Sequence, residues 1–189
     1  MVDYLEQTFS PRDAAVIYIY NSYIEHDEQT ATNLIGSLLQ QVLQKKSVIS
    51  DGIMTMYWQH LSQRTRPSLS DLSSSLRLES KDFTNVFVLV DALDECTEAN
   101  GVRESLLEEL RGQLVEPNTH LMITSRFITG LEYDSNEVMV LEIRASDDDI
   151  EEYLHCRMLK ERRLARHVEN DERLHDAIIR TIVNSSKGM

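Results

Sequence analysis

Two kinds of hydrophobic pattern alternate along the chain. Short runs that are apolar at nearly every position are separated by longer stretches in which apolar residues recur every three or four positions. Ala14–Tyr20 (AAVIYIY) and Val86–Val90 (VFVLV) are of the first kind, rich in β-branched and aromatic residues, and predict strands covered on both faces as in a parallel sheet. His120–Thr124 is a third such run, and Val138–Ile143 is a last strand candidate. Of the second kind is the stretch capped by Thr30, where Leu34, Ile35, Leu38, Leu39, Val42 and Leu43 form two adjacent ridges of one apolar face. A helix around Ile53–Leu61 presents Met54, Tyr57, Trp58 and Leu61 on one side, an arrangement typical of core. Arg66-Pro67 then breaks the pattern. Ser70 with Asp71 offers a start for a further short helix, and Val102–Val115 presents Leu106, Leu107, Leu110 and Leu114 before Pro117.

Beyond Ile143 the pattern is purely helical. Ser146 stands three residues before Asp149, a variant of the capping box, and Asp147 and Asp148 fall in the positive first turn. Arg157, Lys160, Arg162, Arg163 and Arg166 sit toward the far end, so charge follows the helix dipole, and a last helix is predicted over Glu172–Asn184. Strands alternating with helices indicate an α/β fold with a mainly parallel sheet flanked by helices, followed by a C-terminal helical segment. The expected divisions are an N-terminal flank over 1–13, an α/β core over 14–143 and a helical segment over 144–189.

Composition narrows the classes. The 189 residues are 41% hydrophobic and include only three prolines and six glycines, which argues for a folded domain with a real core. The apolar run Val86–Val90 falls far short of the ~20 residues of a membrane helix, and the first fifteen residues contain no signal-like apolar stretch. A cytoplasmic setting with no membrane partner is expected. Nineteen basic residues against thirty-two acidic ones give a net charge of −13, which opposes gripping a phosphate backbone, so nucleic acid is excluded as a main partner. Cys96 and Cys156 suggest neither a disulfide framework nor a zinc site, and Cys96 follows an acidic run that disfavours a thiolate. Asp147-Asp148-Asp149 lacks the alternation and central glycine of a calcium loop and is read as helix capping.

Candidate chemistry gathers where strands end. In open parallel sheets, ligands sit beyond the carboxyl ends of the strands. VFVLV-Asp91-Ala-Leu-Asp94-Glu95 sets one carboxylate at a strand end and two more a turn later, a set suited to holding hydrated Mg²⁺ and orienting a water. The next strand delivers Thr124, Ser125 and Arg126 to the same edge, where a guanidinium can meet a phosphate.

These residues resemble the NACHT-type STAND nucleoside triphosphatases, P-loop signalling switches whose fungal members are often fused to ankyrin repeats. FVLVDALDEC is similar to the extended Walker B of that family, LMITSR to its sensor-1 strand, and LEIRASDDDIEEYL to the approach to its helical arm. The resemblance spans about residues 14 to 189. It implies that Asp91 is the Mg²⁺ ligand, that Asp94 and Glu95 position attacking water, and that Arg126 with Ser125 senses the nucleotide. ATP and Mg²⁺ are the cofactors it implies for intact relatives.

One feature of that family is missing. No G-x-x-x-x-G-K-[ST] occurs: the glycines stand at 36, 52, 101, 112, 130 and 188, and none precedes a lysine. The resemblance implies a sheet order of 5-1-4-3-2, with the absent motif following the strand numbered 1, so an incomplete P-loop NTPase-like sheet is expected, truncated at both ends. The chain by itself is then expected to bind neither ATP nor Mg²⁺ firmly and to act as a partial nucleotide-switch domain of an intracellular signalling protein. Protein partners or self-association follow from the exposed sheet edge. Two alternatives stay open: a non-catalytic interaction module, and a Mg²⁺-dependent phosphohydrolase using Asp91, Asp94 and Glu95 without a P-loop.

Overall fold

The computed structural model describes residues 1–9, 13–25, 28–128, 138–168 and 170–186. Strands β1 (Ala14–Tyr20), β2 (Asn85–Asp91) and β3 (Thr119–Ile123) form one parallel sheet in the order β1-β2-β3, with Tyr20 opposite Asp91 and Val90 opposite Ile123. The crossover from β1 to β2 carries helices α2 (Ala31–Lys45), α3 (Asp51–Gln63) and α4 (Leu69–Ser80), and that from β2 to β3 carries α5 (Val102–Gln113). A short helix α1 (Val2–Thr8), which the apolar pattern did not announce, precedes the sheet. The fold is α/β: a three-stranded parallel sheet flanked by helices, followed by a C-terminal helical segment.

Because side chains alternate along a strand, each apolar run feeds two faces. The inner face carries Ala15, Ile17 and Ile19 of β1, Val86, Val88 and Val90 of β2, and Leu121 and Ile123 of β3. It meets Leu34, Ile35, Leu38, Leu39 and Val42 of α2, Leu76 of α4, and Leu106, Leu107 and Leu110 of α5 in one cluster. The outer face is covered less evenly. Ala14, Val16 and Leu89 are buried, and Phe9, just after α1, lies 4.7 Å from the Phe87 ring, which in turn stacks on His120 at 5.1 Å. Tyr20 and Met122 are 59% and 41% exposed, so the expectation of full cover on both faces fails at the carboxyl end of the outer face.

Side chains set the helix boundaries. Thr30 accepts from the Asn33 N–H as expected, whereas α4 is capped by Ser68 rather than Ser70, in a capping box with Asp71. The Ser68 bonds hold the Asp71 carboxyl below the ordinary carboxylate range. On α3 the expected core stripe is wrong: Met54, Tyr57, Trp58 and Leu61 are exposed, while Ile53 is buried and Met56 packs against the core. The one-sided apolar spacing left two rotations open, and the inward side is the one carrying Ile53 and Met56.

A polar knot ties three helix ends together. Glu79, 5% exposed, pairs with Lys46 just beyond α2 and accepts at 2.5 Å from the Oγ of Ser50, the N-cap of α3. Lys46 also reaches Asp82 at 2.6 Å. Burial pulls the Lys46 ammonium down, but bonds to Asp82 and Glu79 outweigh it and hold the group above the ordinary lysine value. On the side of β1 away from β2, the Gln41 side chain accepts from the Tyr18 N–H and donates to the Tyr18 carbonyl, both at 2.9 Å. It occupies the backbone groups that a neighbouring strand would use.

Contacts divide the chain into Met1–Leu131 and Glu132–Met189. In the second unit, residues 138–146 form neither helix nor strand, so the strand expected over Val138–Ile143 is not present. Met139, Val140, Leu141 and Ile143 are exposed. An apolar run becomes a strand only when a ladder takes up its backbone groups, and none does so here among the described residues. Helices α6 (Asp147–Lys160), α7 (Arg162–Val168) and α8 (Glu172–Ser186) follow, packed on one another around Met158, Ala165 and Val183. Both bonds of the Ser146–Asp149 capping box are present, and they hold the Asp149 carboxyl low. The basic segment expected as one helix breaks at Glu161, whose backbone leaves the helical region. No helix among the described residues is long and apolar enough to cross a membrane.

Candidate functional site

The site is built where β2 and β3 stop. After Asp91 the backbone turns through Ala92 in the left-handed region (φ 51°, ψ 53°), a conformation that costs a residue with a Cβ about 1–2 kcal/mol. The turn is held from both sides. Leu93 is fully buried and donates its N–H to the Thr124 carbonyl at 2.9 Å, while the Thr124 N–H donates to Val90 O at 2.9 Å. The Thr124 hydroxyl donates to the Asp91 carboxylate in a short bond and accepts from Ala92 N–H at 3.0 Å. From the end of β1, Asn21 donates both its N–H (3.2 Å) and its Nδ2 (2.8 Å) to the Asp91 carbonyl. Three strand ends are therefore stitched into one rim.

The turn places Asp94 under Arg126. The Arg126 backbone N–H donates to Asp94 Oδ1 at 2.9 Å and its Nε to Oδ2 at 2.5 Å, a two-point grip. Ser125 Oγ reaches the same Oδ1 at 3.4 Å and donates to the Arg126 carbonyl at 2.7 Å. Burial works to raise the Asp94 carboxyl, but the bonds from Arg126 prevail and hold it below the ordinary range, while Asp94 raises the guanidinium in turn. The two side chains differ in freedom: that of Asp94 is 13% exposed and that of Arg126 is 82% exposed. Glu95 accepts weakly from the Tyr23 N–H at 3.4 Å, and its charge also favours the Arg126 cation.

All five candidates, Asp91, Asp94, Glu95, Ser125 and Arg126, thus lie on adjoining turns at the carboxyl edge of two neighbouring parallel strands. They do not converge equally. Asp94, Ser125 and Arg126 touch one another, Asp91 is bonded to Thr124, and among the described residues no three acidic, histidine or cysteine side chains are grouped to hold a metal. Any cation at Asp91 would have to complete its shell with water or a ligand. Beside Asp91 on the outer face, a hollow of about 210 Å³ is lined by Tyr18, Tyr20, Leu89, Met122, Thr124 and the first residues of the chain.

Two residues that hold this rim escaped the sequence reading. Arg103, 7% exposed, donates to the Asp94 carbonyl at 3.2 Å and the Cys96 carbonyl at 2.7 Å, and pairs with Glu98 at 2.5 Å, so it fixes the acidic turn from behind. Its signal was available: Arg103, Leu106, Leu107 and Leu110 share one helical stripe, and a cation on an apolar stripe requires buried acceptors. Asn21 had a subtler one, as the residue immediately after the strand end that faces Asp91 in register. Cys96 is buried, and burial first, with Glu104 adding and Arg103 opposing, pushes its thiol up. The expected inertness has a different main cause from the acidic run.

Comparison with known proteins adds one finding. No curated protein matches the chain, and no solved structure matches it. A family model described as Nephrocystin 3, N-terminal, matches residues 1–126, a span that runs from α1 to Arg126 and takes in every residue of the rim. With two-thirds of its length matched, the chain belongs to the nephrocystin 3, N-terminal family.

Proposed function

We propose that the rim is the Walker B and sensor-1 edge of a NACHT-like nucleotide-switch domain in an intracellular signalling protein. The observation that carries this reading is the two-point grip of Asp94 on Arg126 across the ends of adjacent parallel strands, with Asp91 one turn away. The sheet order β1-β2-β3 supports it, because the strand bearing the arginine is the one that the NACHT resemblance sets beside the P-loop strand.

The chemistry follows from the charges. Three carboxylates and one guanidinium repel a bare triphosphate, so Mg²⁺ at Asp91 would be needed to bring the phosphates in. Arg126 is held by Asp94 yet almost wholly in solvent, so a phosphate oxygen can compete for its free guanidinium nitrogens without unfolding anything. Asp94, once the Arg126 guanidinium turns to phosphate, would then orient a water together with Glu95. Without a glycine-rich cradle and its lysine, this chain supplies the sensing half of the site only, and nucleotide affinity is weak.

Amide NMR during a Mg-ATP titration tests this. The expected result is small saturable shifts confined to Asp91–Cys96 and Thr124–Arg126, lost in Arg126→Ala, with no turnover. Shifts elsewhere with the rim unmoved, or no shifts at millimolar nucleotide, would overturn it.

A second reading, a protein-interaction module, is favoured by one observation: among the described residues no strand pairs with the far side of β3. Concentration-dependent mass in light scattering supports it, and a monomer at all concentrations counts against it. The phosphohydrolase alternative has less support, since Asp91 and Asp94 are committed to different partners.

A further inference from the structure

The second unit holds a pair of histidines that the rim does not use. His155 on α6 and His175 in the first turn of α8 bring Nδ1 and Nε2 to within 3.4 Å, with the rings nearly perpendicular at 82° and their centroids 5.6 Å apart. At that separation an N–H···N bond is poor, since good ones fall at about 2.7–3.2 Å. The spacing fits another partner. Two nitrogens bound to one tetrahedral Zn²⁺ at about 2.0–2.1 Å lie about 3.3–3.4 Å from each other.

A third group stands beside the pair. The other nitrogen of His175, Nδ1, faces Asp176 Oδ1 at 3.4 Å, a long contact that metal binding would have to tighten. Metal-bound histidines usually give that second ring N–H to a carboxylate, which fixes the tautomer and strengthens the ligand. Asp176 also offsets the positive end of α8, which would otherwise oppose a dication. We infer that His155 and His175 form a two-histidine site for a borderline transition-metal ion, Zn²⁺ being the best fit, which staples α6 to α8. Imidazole nitrogen selects such ions over Mg²⁺, so this site is chemically separate from the carboxylate rim. No third protein ligand stands near among the described residues, so water fills the remaining positions and the affinity is modest.

Co²⁺ in place of Zn²⁺ gives an optical readout of the coordination. The full chain, titrated with CoCl₂ and separately with ZnCl₂ at about pH 7.5, where imidazole is a competent ligand, should show a saturable visible band and a raised melting temperature. His155→Ala and His175→Ala, both at partly or fully exposed positions, should abolish both effects while leaving the helical circular dichroism unchanged. Asp176→Asn should weaken binding about 10-fold or more. His60→Ala, on α3 with its ring bonded to Thr65 just beyond the helix, should change nothing. Binding that persists in both single-histidine variants, or no saturable band in the wild type, overturns the inference.

Discussion

The two faces of the sheet are built from equally apolar strands and end up in different states. On the inner face, Ile17 and Val86 are fully buried under α2, α4 and α5. On the outer face, Tyr20 and Met122 look into solvent beside Asp91. What separates them is the cover that each side receives. Both crossovers pack on one side, whereas among the described residues of the first unit the other side has α1 and Phe9. The candidate side chains sit at the poorly covered corner, where carboxylates and a guanidinium can keep water while the strands beneath them are fixed by the core.

The largest expected effect breaks this contrast from the core. Ile17→Ala should lower unfolding stability by about 2–5 kcal/mol in urea titration, against about 0.5–1 kcal/mol for Met122→Ala on the other face. Equal losses would mean that the outer face is as well packed as the inner. Next comes the polar knot. Glu79→Gln leaves Lys46 with Asp82 alone and weakens the Ser50 bond, and should cost about 1–3 kcal/mol. A neutral result would show that the three helix ends are held by apolar contacts instead.

The two outer strands differ as well. Among the described residues, the outer side of β1 is occupied by Gln41 at Tyr18, while no strand pairs with the far side of β3. Gln41→Ala should cost about 1–2 kcal/mol, from two hydrogen bonds, and should raise the tendency to associate by opening a second edge. Light scattering on the wild type and the variant measures this, and an unchanged mass at high concentration would remove the blocking role.

The smallest effect concerns the rim itself. The Asp94 carboxyl is held low in the folded state, so its contribution is fully present above its unfolded value near 3.9 and is lost as pH falls through the lower folded value. Asp94→Asn should flatten stability against pH below about 4, by less than about 1 kcal/mol because the Arg126 partner is mostly in water. Acid titration of both proteins compares the slopes, and identical curves would deny the pair any energetic role.

Where the apolar pattern was continuous, the elements were legible: β1 is Ala14–Tyr20 as read, and β2 and β3 differ from their readings by a residue at either end. Thr30 and Ser146 were legible because a capping side chain acts within three residues of itself. The rotation of α3 was not, since a stripe of Met54, Tyr57, Trp58 and Leu61 says nothing of which neighbours exist to cover it. The strand predicted over Val138–Ile143 failed for a related reason, because strand propensity is realised only through a partner. At the rim, residue types were readable from Asp91, Asp94, Glu95, Ser125 and Arg126. The links through Asn21, Thr124 and Arg103 depend on long-range register, which local spacing does not encode.

Whether the rim can serve a nucleotide is tested by supplying it with a phosphate cradle. A strand, a G-x-x-x-x-G-K-[ST] loop and a helix are fused ahead of Met1, and Mg-ATP affinity is measured by titration calorimetry with and without Asp91→Asn. A large gain in affinity is expected on fusion, most of it lost when Asp91 is neutralised. A correctly folded fusion that binds no better than the chain alone, or a gain indifferent to Asp91, would overturn the nucleotide-switch reading of the rim.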